Sequence, residues 1–86
     1  MVLYVLKDIE DLLDNMDYAK FILYKIVELN GKSYVWIRAG CLAFKGEVSK
    51  ETAEKLKNKI EAMKRLGKNI MEFDTVIRDD QFYVGG

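Results

Sequence analysis

The sequence predicts an α+β fold: a small single-layer antiparallel sheet, made of two hairpins plus a short strand, covered by one long helix, with a short N-terminal helix. Three observations carry that reading. Two runs rich in β-branched and aromatic residues, 21–29 and 33–39, flank Asn30-Gly31. Residues 50–66 repeat apolar side chains at helical spacing between Ser49 and Gly67. Residues 70–77 and 81–84 alternate on either side of Arg78-Asp79-Asp80. The 86 residues suffice for one small domain spanning 1–86.

The elements follow in chain order. Residues 2–6 are β-branched and aromatic and read as a short strand. Asp8 suits the N-cap of a helix over 9–16, where Ile9, Leu12, Leu13 and Met16 share one face. A single helix over 2–16 also fits, because Val2, Val5, Leu6 and Ile9 continue the same stripe; strand then helix is preferred.

Asn30-Gly31 suits a two-residue type I′ turn, in which both central residues need φ > 0. That loop places Leu29 opposite Lys32 and fixes the register upstream. Ile26 then faces Val35, Tyr24 faces Ile37 and Ile22 faces Ala39, forming an apolar face. On the other face Val27 pairs with Tyr34, Lys25 with Trp36 and Leu23 with Arg38.

Gly40 ends the run, residues 41–45 read as a third strand, and Gly46-Glu47 read as its end. Ser49 is a good N-cap for the long helix. Its stripe is Ala53, Leu56, Ile60 and Met63, with Leu66 at the margin and Gly67 as the left-handed stop. In the second hairpin Met71, Phe73, Thr75 and Ile77 share a face, with Phe82 and Val84 opposite if Asp79-Asp80 is the loop.

Composition excludes several function classes. Histidine is absent, which removes the commonest general base and metal ligand. One cysteine, Cys41, supplies neither a zinc site nor an intramolecular disulfide, and reads as a small buried apolar side chain. Asp8, Asp11, Asp14 and Asp17 recur every third residue, a spacing that drifts around a helix instead of converging on a cation. Asp74, Asp79 and Asp80 with Glu72 suit turns. Neither a catalytic site, nor a metal, nor a cofactor is expected, and an enzyme is the weaker reading.

Half the residues are apolar, more than a small interior hides, so self-association is expected. No apolar run reaches membrane-spanning length, and the first residues lack the basic flank of a signal peptide; a cytosolic location is expected. Eleven lysines, one glutamine and no histidine resemble thermophile usage. Formal charge is zero, but residues 1–18 carry −4 and residues 49–68 carry +4, so the two segments can pair within the fold or between subunits. The lysines of the long helix (Lys50, Lys57, Lys64, Lys68) alternate with acids, and Glu51–Lys55 and Glu61–Arg65 have favourable i, i+4 spacing, as on a solvated face.

The candidate site is the second sheet face: Leu23, Lys25, Val27, Tyr34, Trp36 and Arg38. Trp, Tyr and Arg are enriched at subunit interfaces, which favours a homo-oligomer or another protein partner. The same chemistry stacks single-stranded bases, but zero net charge gives little attraction for phosphate. A further alternative lies in the last residues. Hairpin, helix, hairpin and Gly85-Gly86 together are similar to the ubiquitin-like (β-grasp) arrangement, and Phe82-Tyr83-Val84-Gly85-Gly86 looks like the end of a sulfur carrier. That resemblance implies a modifier or carrier activated at Gly86.

Overall fold

The computed structural model describes residues 3–73 and, in backbone, the two strands Thr75–Arg78 and Gln81–Val84. Chain order is β1 (Tyr4–Val5), α1 (Ile9–Asn15) with a 3₁₀ turn (Met16–Tyr18), β2 (Phe21–Leu29), β3 (Lys32–Ala39), β4 (Leu42–Val48), α2 (Lys50–Arg65), β5 (Asn69–Glu72), β6 (Thr75–Arg78) and β7 (Gln81–Val84). The fold is α+β, as the sequence predicts.

The β2–β3 hairpin has the expected register throughout, from Leu29↔Lys32 to Ile22↔Ala39. Asn30 and Gly31 take φ of 54° and 75°, the left-handed pair that a type I′ turn requires. A Cβ added at Gly31 would meet nothing within 4 Å, so Gly31→Ala isolates the backbone cost. Its expected loss is ~1–2 kcal/mol in denaturant unfolding; an unchanged midpoint would contradict this turn.

The sheet corrects the expectation of a purely antiparallel arrangement. Its order is β1-β4-β3-β2-β5, and it is mixed: β1 runs parallel to β4 and β5 parallel to β2, while the central pairs are antiparallel. Residues 70–77 are two strands, not one. β5 joins the main sheet, Phe73 extends the ladder by donating its N–H to the Tyr24 carbonyl at 2.8 Å, and β6 pairs separately with β7. Antiparallel hairpins announce themselves by a short turn signal, whereas parallel partners are joined by a long crossover that leaves none. Here α2 lies between β4 and β5 in the chain, and β5 returns alongside β2. The β6–β7 register matches the expected one, with Ile77 opposite Phe82 and Thr75 opposite Val84. The expected loop residues, Asp79 and Asp80, lie outside the described residues, as does Asp74.

The third strand also differs from expectation, running to Val48 instead of stopping at Gly46. The Phe44 ring lies where a Gly46 side chain would project: a Cβ there would sit 3.3 Å from Phe44 Cζ. Gly46 is therefore a packing residue within the strand. Cys41 falls in the turn before β4 and is exposed, not buried.

Both helices pack on one sheet face. The Asp8 backbone is extended (φ −117°, ψ 123°), and its side chain accepts the Glu10 N–H at 3.0 Å, so the chain is strand then helix. Ser49 caps α2 by accepting the Thr52 N–H at 3.1 Å, and Gly67 takes the expected left-handed φ of 84°. The helix stripes Ile9, Leu12, Leu13, Met16 and Ala53, Leu56, Ile60, Met63 join Ile22, Val35, Ile37 and Phe44 in one buried cluster. Leu66 stays outside it.

The acidic start and basic middle of the chain meet within this layer. Lys55 reaches Glu10 at 3.2 Å and Lys59 reaches Asp17 at 3.4 Å. Lys59 Nζ also donates to the Leu13 carbonyl, satisfying a group at the end of α1. Exposed pairs of this kind contribute ~0–1 kcal/mol each. They orient the helices more than they stabilise them.

Candidate interaction face

Alternation along β3 divides the sheet. Ser33, Val35, Ile37 and Ala39 are buried toward the helices, so Tyr34, Trp36 and Arg38 project from the opposite face. The β2 partners Val27, Lys25 and Leu23 lie directly opposite them, and the structure brings all six candidate residues together on one face. Tyr34 is buried at 8 % exposure, and the other five are half-buried.

Adjacent strands widen this face. One row across the sheet reads Met71, Leu23, Arg38, Ala43, Val5. Its two ends are the most open, with Met71 58 % and Val5 69 % exposed. The next row contains Lys25, Trp36 and Lys45. Phe73 follows β5 and sets its ring edge-on to Trp36, with centroids 4.7 Å apart. Val5, Ala43, Lys45, Met71 and Phe73 are the members that the sequence did not place on this face. The Met71/Phe73 alternation was legible, but its partner strand was not.

The cations of the face are held by the chain itself. Lys25 Nζ lies 3.4 Å from Glu72. Arg38 donates from Nε to the Gly40 carbonyl at 3.0 Å, and its guanidinium sits 5.4 Å from the Phe21 ring centre. Each of these two cations therefore has a partner within the chain.

On the helix side, a groove of about 400 Å³ runs between α2 and the β2/β5 edge, lined by Tyr24, Ile26, Glu54, Lys57, Glu61 and Glu72 among others. Lys64 stands beside it, 6.0 Å from the Tyr24 ring centre and 3.4 Å from Glu61. Its ammonium is held above the ordinary lysine value, chiefly by Tyr24 and then by Glu61. It therefore stays charged at neutral pH and is not poised as a general base. A second hollow of about 330 Å³ lies at the sheet end, where Tyr18, Phe21 and Leu42 meet Cys41. Among the described residues no group of three or more metal-ligating side chains converges, and no helix is long and apolar enough to cross a membrane.

Gly85 and Gly86 lie outside the described residues. The strand they follow in sequence, β7, is paired with β6 through Val84. No protein-family model matches this chain, and neither a curated protein nor a solved structure is significantly similar to it.

Proposed function

We propose that this protein is a small cytosolic assembly module, not an enzyme, that associates with copies of itself through the face bearing Leu23, Lys25, Val27, Tyr34, Trp36 and Arg38. The observation that supports this reading is the one-sided helix layer. Both helices cover the same side of the sheet; the other side bears half-buried Leu23, Val27 and Trp36, bordered by exposed Met71 and Val5, with Tyr34 already buried within the chain. Such a surface buries itself most readily against its own copy by isologous packing. Trp36→Ala tests the placement by its effect on solution mass.

Single-stranded nucleic acid is the second reading, since an aromatic sheet face can stack bases. The engagement of Lys25 by Glu72 and of Arg38 by Gly40 and Phe21 weighs against it. Oligonucleotide titration at low salt is expected to leave Trp36 fluorescence unchanged; quenching that fades with added salt would favour the nucleic-acid reading. For a carrier acting through Gly86, the pairing of β7 with β6 as far as Val84 weighs against that alternative.

A further inference from the structure

One outer edge of the sheet is formed by β1. β1 ends the sheet order and, among the described residues, pairs only with β4. Tyr4 N–H donates to the Cys41 carbonyl and Leu6 N–H to the Ala43 carbonyl, each at 2.7 Å. In a parallel ladder the residues between these point their backbone groups the other way, so the N–H and C=O of Leu3 and Val5 face outward. The side chains there are apolar and open: Leu3, Tyr4 and Val5 are 45 %, 57 % and 69 % exposed. Edges in natural sheets are ordinarily blunted by charge, proline or a bulge. Here β1 and its neighbours Leu3 and Leu6 carry no charged side chain, and Lys7 follows them.

The geometry points to a second copy of β1 as the occupant of this edge, paired antiparallel across a two-fold axis perpendicular to the sheet. Under that symmetry paired residues must lie on the same face, so odd-numbered residues pair with odd and even with even. One register meets the rule and sets the three exposed residues against one another. Tyr4 lies opposite its own copy, and Leu3 lies opposite Val5. Leu3 and Val5 are also the residues whose backbone groups face outward, so each such pair exchanges both of its N–H···O bonds. Shifting the register by two residues in one direction would put Lys7 opposite Leu3, and in the other would leave Tyr4 and Val5 without partners among the described residues. The strand thus completes itself with its own copy, joining two five-stranded sheets edge to edge with all helices on one side.

This contact does not rest on the aromatic face, and the two are geometrically compatible. Edge pairing leaves the second faces of both copies pointing the same way, free to pack against another such pair. The edge alone is small compared with a standard interface, so its association is weak and depends on concentration.

Val5→Pro tests it. Proline removes the outward N–H of Val5 but neither the Tyr4 nor the Leu6 bond to the β4 side, and proline is tolerated at a free strand edge. Val5→Ala is the control, trimming the side chain while keeping the N–H. In sedimentation equilibrium of the full chain, V5P should weaken the concentration-dependent step by about tenfold or more, with V5A nearer wild type. Circular dichroism should show V5P folded. If V5P is folded and associates like V5A, the edge pairing is overturned. If V5P unfolds, Tyr4→Lys replaces it: it lies in the helix-side row with Leu42 and Ala39, keeps every backbone N–H and sets two lysines opposite each other in the proposed pairing, so weakened association supports the pairing and unchanged association overturns it. The face reading is judged separately by W36A, which should leave the edge-dependent step intact.

Discussion

Ile60→Ala is expected to destabilise the protein by ~2–5 kcal/mol, the range for removing a fully buried aliphatic side chain and leaving part of its cavity. Ile60 is 1 % exposed and lies at the middle of the α2 stripe, in one cluster with Leu12, Leu13, Ile22 and Ile37. Those neighbours come from a second helix and the sheet, so several elements would have to shift together to close the void. A small domain has ~5–15 kcal/mol of total stability, so the variant loses a large share of it. The expected fall in Tm is of order 10–30 °C. Leu66→Ala, at a position 78 % exposed, should change stability by less than ~0.5 kcal/mol. Chemical denaturation of the two variants side by side checks this, and similar small losses for both would contradict the proposed single helix layer.

Trp36→Ala is the second large effect, and it falls on association. A central Trp at an interface ordinarily contributes ~2 kcal/mol or more, so the dissociation constant of the face-dependent step should rise by about 30-fold or more. Trp36 also contacts Phe73 within the chain, so part of the loss will appear as reduced stability. Trp36→Phe separates the two effects: it keeps a ring for Phe73 to meet while giving up much of the area offered to a partner. The reading predicts that W36F associates at an intermediate strength and melts near wild type. Equal association of all three proteins would remove Trp36 from the interface.

The parts of the fold legible in the sequence are those written in local chemistry. Asn30-Gly31 dictates a turn, the turn dictates register, and register puts Leu23, Lys25, Val27, Tyr34, Trp36 and Arg38 on one face. Ser49, the Ala53/Leu56/Ile60/Met63 stripe and Gly67 likewise delimit α2 through caps and period. The parts not legible depend on partners distant in the chain. Nothing near Met71 says that it will lie beside Leu23, because a parallel pairing is closed by a helix crossing and not by a turn. Gly46 reads as a terminator until the Phe44 ring is seen against it. Cys41 reads as buried until the turn carries it to the surface. The charge asymmetry shows an intermediate case. It signals that the start and middle of the chain attract, but only the packing of α2 beside α1 selects Lys55–Glu10 and Lys59–Asp17.

Assembly through the aromatic face is tested most directly by sedimentation equilibrium of wild type and W36A over a wide range of concentration. The account predicts a wild-type mass above the 10.0 kDa of one chain that rises with concentration, and a lower mass for W36A at every concentration. A wild-type protein that remains at 10.0 kDa throughout, or a W36A curve superimposed on that of wild type, would contradict it.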